Sequence, residues 1–340
     1  MKTGLKLLSQ IAAVIAFSAM AAPASAQTVV LYTSNNIETV DTALNVIRGK
    51  MPTLDVRQVN GGAGVLMKRI QAESGNPRGD ILWSGGFGAI GAYKEYMAPY
   101  KGHDLDAIPK EFRSPDDLWV GTNIHLLLIM VNEKQLKMRG LPKPKTWSDL
   151  MKPEWKGNFA ITDPGKSANA FLLIYGLLKQ FGREGLEKIA ANAIINASSR
   201  TTHEGTAIGE YAAGLTFEYA AQEYVAGGQK GIRLVYPTEG CYLSPEGIFL
   251  FKGAKNAEAA KILYNIFLSR EMQQELLVKR FRRPARADIE VSKLTPLPDL
   301  KSVKIFPLDQ TAASEEYEQL ISLWELAVGK ARYEQKNQGW

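Results

Sequence analysis

The chain has 340 residues, with 41 lysines and arginines against 35 aspartates and glutamates, for a formal charge of +6. Its single cysteine, Cys241, excludes an intramolecular disulfide, so the fold must rest on a buried core, and the length suggests two domains. The mild basicity is spread along the chain, which argues against nucleic-acid binding and is compatible with a small anionic partner.

At the N-terminus, Lys2 and Lys6 form a short basic region, Leu7 to Ala22 is largely apolar, and Ala24-Ser25-Ala26 puts small residues ahead of Gln27. This is the tripartite pattern of a secretory signal, with an apolar stretch shorter and weaker than a spanning helix needs. Residues 1–26 are therefore read as a signal peptide. Cleavage at Ala26-Gln27 is expected to leave a soluble periplasmic chain of charge +4, with no cysteine at the site for a lipid anchor.

Strand and helix patterns then alternate. Thr28 to Tyr32 is a short apolar strand ending at Thr33-Ser34-Asn35-Asn36, a run of capping residues before a helical pattern over 37–50. Leu54 to Val59 is a second strand, and Asn60-Gly61-Gly62-Ala63-Gly64 leads into a helix over 65–73. Asp80 to Trp83 is a third strand, closed by Ser84-Gly85-Gly86. Three strand–loop–helix units in succession imply a parallel sheet with helices on both faces, whose loops at the strands' carboxyl ends form a ligand crevice. The second half repeats the theme: the doubly buried run Leu126 to Val131, a strand at Phe159 to Thr162, the loop Asp163-Pro164-Gly165-Lys166-Ser167, and a helix over 168–181. Ala213 to Phe217 is a further strand; two extended stretches follow Val235, then helices at about 257–269, 270–280 and 314–336. The pattern predicts an α/β architecture of two lobes with a cleft between them.

The segments LYTSNN at 31–36, LMKRIQAE at 66–73, GDILWSGG at 79–86 and KPEWKGNFAITDPGKSANAF at 152–171 carry a resemblance, completed by HEGTAIGEYAAGLTFEY at 203–219 and VYPTEG at 235–240. In this order they resemble the type II periplasmic solute-binding proteins of ABC importers, in the cluster that includes ferric-ion, hexose-phosphate and 2-aminoethylphosphonate receptors. The resemblance implies two lobes, each a mainly parallel sheet flanked by helices: 27–121 with 237–285, and 122–236 with 286–340. It implies hinge crossings near Gly121 and Tyr236, closure on the ligand, an inner-membrane ABC permease as partner, a monomer, and no cofactor.

The candidate ligand-binding residues lie where strands give way to helices. Ser34, Asn35 and Asn36 precede a helix N-terminus, whose free N–H groups and positive dipole end favour an anion. Gly62, Ser84 and Gly85 let a ligand approach the backbone, and Lys166, Ser167 and Ala168 open the first helix of the second lobe with an ammonium, a hydroxyl and N–H groups. The G-x-x-x-x-G-K-[ST] spacing is absent there, which does not support nucleotide hydrolysis. His203 and Glu204, read as lying at a helix start, suit sugar hydroxyls; the resemblance adds weight, since hexose-phosphate receptors have a His–acid pair in a similar segment. Glu218, after a strand, is expected to point into the cleft. Trp83, Phe87, Tyr219 and Tyr242 are candidate aromatic walls, His125 stands at the entry to a buried strand, and Arg280, Arg282, Arg283 and Arg286 read as a solvated basic face.

These features favour a phosphorylated or phosphonate solute. Ferric ion is the alternative; iron receptors of the cluster carry adjacent tyrosines where this chain has Thr216-Phe217-Glu218-Tyr219, so the pair is broken. A secreted enzyme acting on phosphate esters is a third reading. His103, His125 and His203 show no metal-ligand spacing, and no nucleophile–base pair stands out, so neither a metal site nor catalysis is expected.

Overall fold

The computed structural model describes residues 27–86 and 90–337. The expected signal peptide with its cleavage site, and Phe87, lie outside the described residues. The strands are β1 (Gln27–Thr33), β2 (Leu54–Asn60), β3 (Ile81–Gly85), β4 (Met97–Ala98), β5 (Val120–Asn132), β6 (Phe159–Thr162), β7 (Ala193–Asn196), β8 (Ala213–Phe217), β9 (Ile232–Val235), β10 (Tyr242–Phe251) and β11 (Arg283–Pro284). The longer helices are α1 (Ile37–Lys50), α2 (Ala63–Ala72), α3 (Ala168–Asn192), α4 (Ser199–Ile208), α5 (Glu218–Ala226), α6 (Ala257–Leu268), α7 (Arg270–Arg280) and α8 (Tyr317–Asn337).

Local sequence explains the elements that frame the site. In α1, Val40, Ala43, Leu44 and Ile47 recur at helical spacing and are buried, the Asn36 side chain caps the Thr39 N–H, and Arg48 and Lys50 complement the C-terminal dipole. Ser167 and Ser198 cap α3 and α4 in the same way, through the N–H groups of Ala170 and Thr201. Within α3, Gly182 (φ 67°) breaks the helical path, which is why the apolar pattern is legible only to about residue 181.

One mixed sheet runs through the molecule in the order β2-β1-β3-β10-β5-β8-β6-β7. β1 pairs in parallel with β2 and β3, and β6 in parallel with β7 and β8. Between these two parallel halves stand β5 and β10, antiparallel to each other and to their flanking partners. All 13 residues of β5 are buried. The register of β10 on β5 shifts between Glu246 and Gly247.

Each half packs its own core. Leu31, Trp83, Ile124, Ile248, Leu263 and Phe267 belong to the first, and Leu127, Trp147, Phe171, Leu215, Tyr242 and Trp324 to the second. β5 thus passes from one core to the other between Ile124 and Leu127, and β10 passes back between Tyr242 and Ile248. The turn at 237–241 and Tyr242 sit with the second half: Tyr242 stacks on Trp147 at 5.1 Å and its hydroxyl donates to Gln180. The C-terminal helix α8 packs on α3.

Candidate functional site

A cavity of about 810 Å³ opens between the two halves, and the N-termini of four helices converge on it. The N-caps of α1, α2, α3 and α4 are Asn36, Gly62, Ser167 and Ser198, and all four line the wall. Each N-terminus presents backbone N–H groups without intrahelical partners, together with the positive end of a dipole. The cations Lys166, Arg200, Arg280 and Arg282 line the same space, faced by Glu38, Glu204, Glu223 and Glu246. Fixed side-chain charges are therefore balanced, and the excess positive field comes from the helix ends.

Of the expected residues, Ser34, Asn35, Asn36, Gly62, Lys166, Ser167, Ala168, His203, Glu204 and Tyr219 line this cavity. His203 is not at a helix start, however. The helix begins at Ser199, so His203 projects from its second turn, with its Nδ1 3.0 Å from the Tyr224 hydroxyl. Burial pushes the ring's pKa down to about 4. Glu204 is held by Arg200, Nε to Oε1 2.6 Å.

Ser84, Gly85, Glu218 and Tyr242 lie outside the cavity wall. Ser84 is fully buried and shares a 2.7 Å hydrogen bond with Ser34, which it positions from behind. Gly85 is backed by Asn169; a Cβ there would lie 2.9 Å from the Asn169 Nδ2. The expectation that Glu218 faces the cleft fails for an electrostatic reason. Its carboxylate takes two buried hydrogen bonds from the Arg283 guanidinium and a third, at 2.6 Å, from the half-buried Tyr236 hydroxyl. A carboxylate with a bidentate partner in the interior has no reason to turn outward. Tyr242 and Trp83 are core aromatics: Trp83 packs 4.5 Å from Phe267 and donates to Thr122.

The supposed solvated basic face is also corrected, because Arg282, Arg283 and Arg286 are all buried. Arg282 lies over the Tyr219 ring at 3.6 Å, and its Nη1 is 2.8 Å from His125 Nε2. Glu246 accepts from Asn35 Nδ2 at 2.6 Å. Burial alone would raise the Glu246 pKa, but the Arg282 charge and the Asn35 donor hold it below the usual carboxylate range. Arg280 reaches from α7 across to Glu223 of α5 at 2.8 Å, joining the two halves beside the cavity.

Glu246, Arg282, Glu223 and Ser198 escaped a reading by chain order. Ser198-Ser199 carried a usable signal, a capping pair ahead of a polar helical run. The others carried none, since Glu246 meets Asn35 across 211 residues and Arg282 meets His125 across 157.

A seam of close backbone approaches joins the halves next to the cavity. A Cβ on Gly64 would lie 2.9 Å from the Gly165 carbonyl oxygen, and one on Gly62 would lie 3.1 Å from that of Lys166. Among the described residues no group of three or more His, Cys, Asp or Glu side chains is arranged to hold a metal ion, and no helix is long and apolar enough to cross a membrane.

Comparison with known proteins gives a consistent picture. Residues 81–312 match the family described as bacterial extracellular solute-binding protein. A putative 2-aminoethylphosphonate-binding periplasmic protein of Salmonella typhimurium is 26% identical over 307 residues, covering 84% of this chain and 87% of that protein. The structure is similar to the periplasmic binding protein AfuA of Actinobacillus pleuropneumoniae with fructose-6-phosphate bound, with a TM-score of 0.82 and 25% identity over 89% of this chain and 98% of that one. It shares its fold with iron-bound HitA of Pseudomonas aeruginosa, with a TM-score of 0.76 and 20% identity over 88% and 99% of the two chains.

Proposed function

Because this chain belongs to the bacterial extracellular solute-binding protein family, we propose that its interlobe cavity captures a solute bearing a phosphate or phosphonate group. The protein is a periplasmic solute-binding component of an ABC importer, working with an inner-membrane permease. The observation that carries the finer reading is the convergence of four helix N-termini, three of them with a serine or asparagine cap, on a cavity whose charged side chains cancel. An oxyanion gains several neutral N–H and O–H donors there, and the helix dipoles add a positive field that the balanced side-chain charges do not supply. Similarity to proteins named for 2-aminoethylphosphonate and for bound fructose-6-phosphate supports the same class.

Lobe closure is the mechanism we infer. Ser34 and Asn36 come from one lobe and Lys166, Ser167 and Ser198 from the other, so one anionic group bridging them holds the cleft shut. We read the chain as a monomeric receptor that captures its solute without transforming it. Ferric ion fits less well. Tyr219 is covered by Arg282, and burial pushes both Tyr219 and Tyr224 up to about 12, the wrong direction for phenolate ligands.

Calorimetric titration of the purified protein with hexose phosphates, 2-aminoethylphosphonate and ferric citrate tests this. Saturable binding of a phosphorus compound, weakened about 10- to 150-fold by Ser167→Ala or Ser34→Ala, is expected. A tyrosinate-to-iron absorption band with no phosphorus ligand bound would overturn it.

A further inference from the structure

We propose that His125, Glu246 and Arg282 form a hydroxyl-binding subsite at the base of the cavity, distinct from the helix ends that take the anion. The inference rests on the anion reading above and specifies the other end of the solute.

Two of the residues come from the strands that pass between the cores, and the third from the turn beside them. His125 is on β5 at its passage, Glu246 stands at the register shift of β10, and Arg282 immediately precedes β11, which pairs with β5. All three line the cavity and are at most 3% exposed. A guanidinium offers donors only, so in the 2.8 Å contact from Arg282 Nη1 the His125 Nε2 must accept. That makes the ring neutral, with its proton on Nδ1, and burial favours the neutral form as well. Glu246 uses Oε1 to accept from Asn35, while the nearest cation to Oε2, Arg282 Nη1, is 3.7 Å away, close enough for attraction but too far for a hydrogen bond, and the unprotonated His125 Nε2 at 3.5 Å offers it no donor.

Three buried atoms are left without a hydrogen-bond partner: the donors His125 Nδ1 and Arg282 Nε, and the acceptor Glu246 Oε2. Buried polar groups are nearly always paired, so a set of unpaired donors and acceptors beside a cavity points to what completes it. The net charge of the trio is zero. An oxyanion is repelled by Glu246, and an ammonium by Arg282, whose guanidinium is fixed by Thr39 Oγ1 and the Tyr219 ring and cannot swing away. A hydroxyl both donates and accepts, so it satisfies Glu246 Oε2 and one of the two donors together. The atoms are covered in this structure; His125 and Glu246 lie on the strands that pass between the cores, so opening of the cleft is the step that would admit a solute to them.

The test compares glucose 6-phosphate with n-hexyl phosphate, two esters of similar length that differ in hydroxyls. Wild-type protein is expected to bind the sugar ester at least tenfold more tightly by calorimetry. E246Q should cut sugar-ester affinity at least tenfold and hexyl phosphate affinity no more than threefold, with the melting temperature confirming a folded protein. Equal affinity of the two esters for wild type, a measurement that needs no variant, overturns the subsite, as does an equal loss for both in E246Q. Wild type that binds neither ester but binds 2-aminoethylphosphonate overturns the subsite alone, and wild type that binds no phosphorus compound overturns the anion reading with it.

Discussion

Glu218 accepts two hydrogen bonds from the buried Arg283 guanidinium, and the Tyr236 hydroxyl donates a third to the carboxylate. Replacing Glu218 by alanine leaves a guanidinium buried without its counter-charge, so the variant should lose about 3–5 kcal/mol of unfolding free energy in urea titration. A loss under 1 kcal/mol, with affinity for solute abolished, would return Glu218 to the cleft. This residue shows what chain order reveals and what it hides. Ser34, Asn36, Lys166 and Ser167 were legible because each stands between a strand and the helix that follows, with Asn36 and Ser167 as its caps, a relation contained in a few neighbouring residues. Glu218 occupies the same kind of position, yet its orientation is decided by Arg283, 65 residues away. Local pattern locates a side chain on an element; its long-range charge partner decides which way it faces.

At the scale of elements, the strand–loop–helix units were readable almost to the residue where a cap and an apolar stripe coincide, as in α1. The missed strands have physical reasons. β7 is only half-buried along its length, so it lacks the apolar contrast that marks a strand, and β9 is a four-residue piece lying beside β5. The glycines at 61–64 were visible as a loop, but their purpose appears only against the facing loop at 163–167. Gly64→Ala would drive a Cβ to 2.9 Å from the Gly165 carbonyl oxygen, a backbone atom that cannot rotate away. The clash exists only while α2 and that loop stand this close. The substitution should therefore weaken solute binding by about 1–3 kcal/mol, the usual penalty of overpacking. Unaltered affinity would mean that the seam does not tighten on binding.

For the whole molecule, a closed cavity that shelters two neutral histidines links stability to pH. The His203 pKa falls from an ordinary 6.5 to about 4 because burial disfavours the charged ring, with Glu204 opposing and Arg200 and Arg282 assisting the fall. Between these values the unfolded chain binds the proton and the folded one does not, so stability is full above pH 6.5 and declines as pH drops toward 4. Linkage over this interval gives about 2 kcal/mol lost between pH 7 and pH 5 from His203 alone. His125, also depressed by burial, acts in the same direction. Glu223, raised by burial beside Arg280, acts in the opposite one, and Asp149, lowered to about 2, loses its contribution only below its ordinary value near 3.8. A single pH profile therefore mixes signs, and the difference between proteins isolates the ring. Urea unfolding of wild type and His203→Asn at pH 7 and pH 5 should show wild type losing about 2 kcal/mol more than the variant across that step. Parallel losses would mean that water reaches His203 in the free protein, as it would if the cleft stands open without its solute.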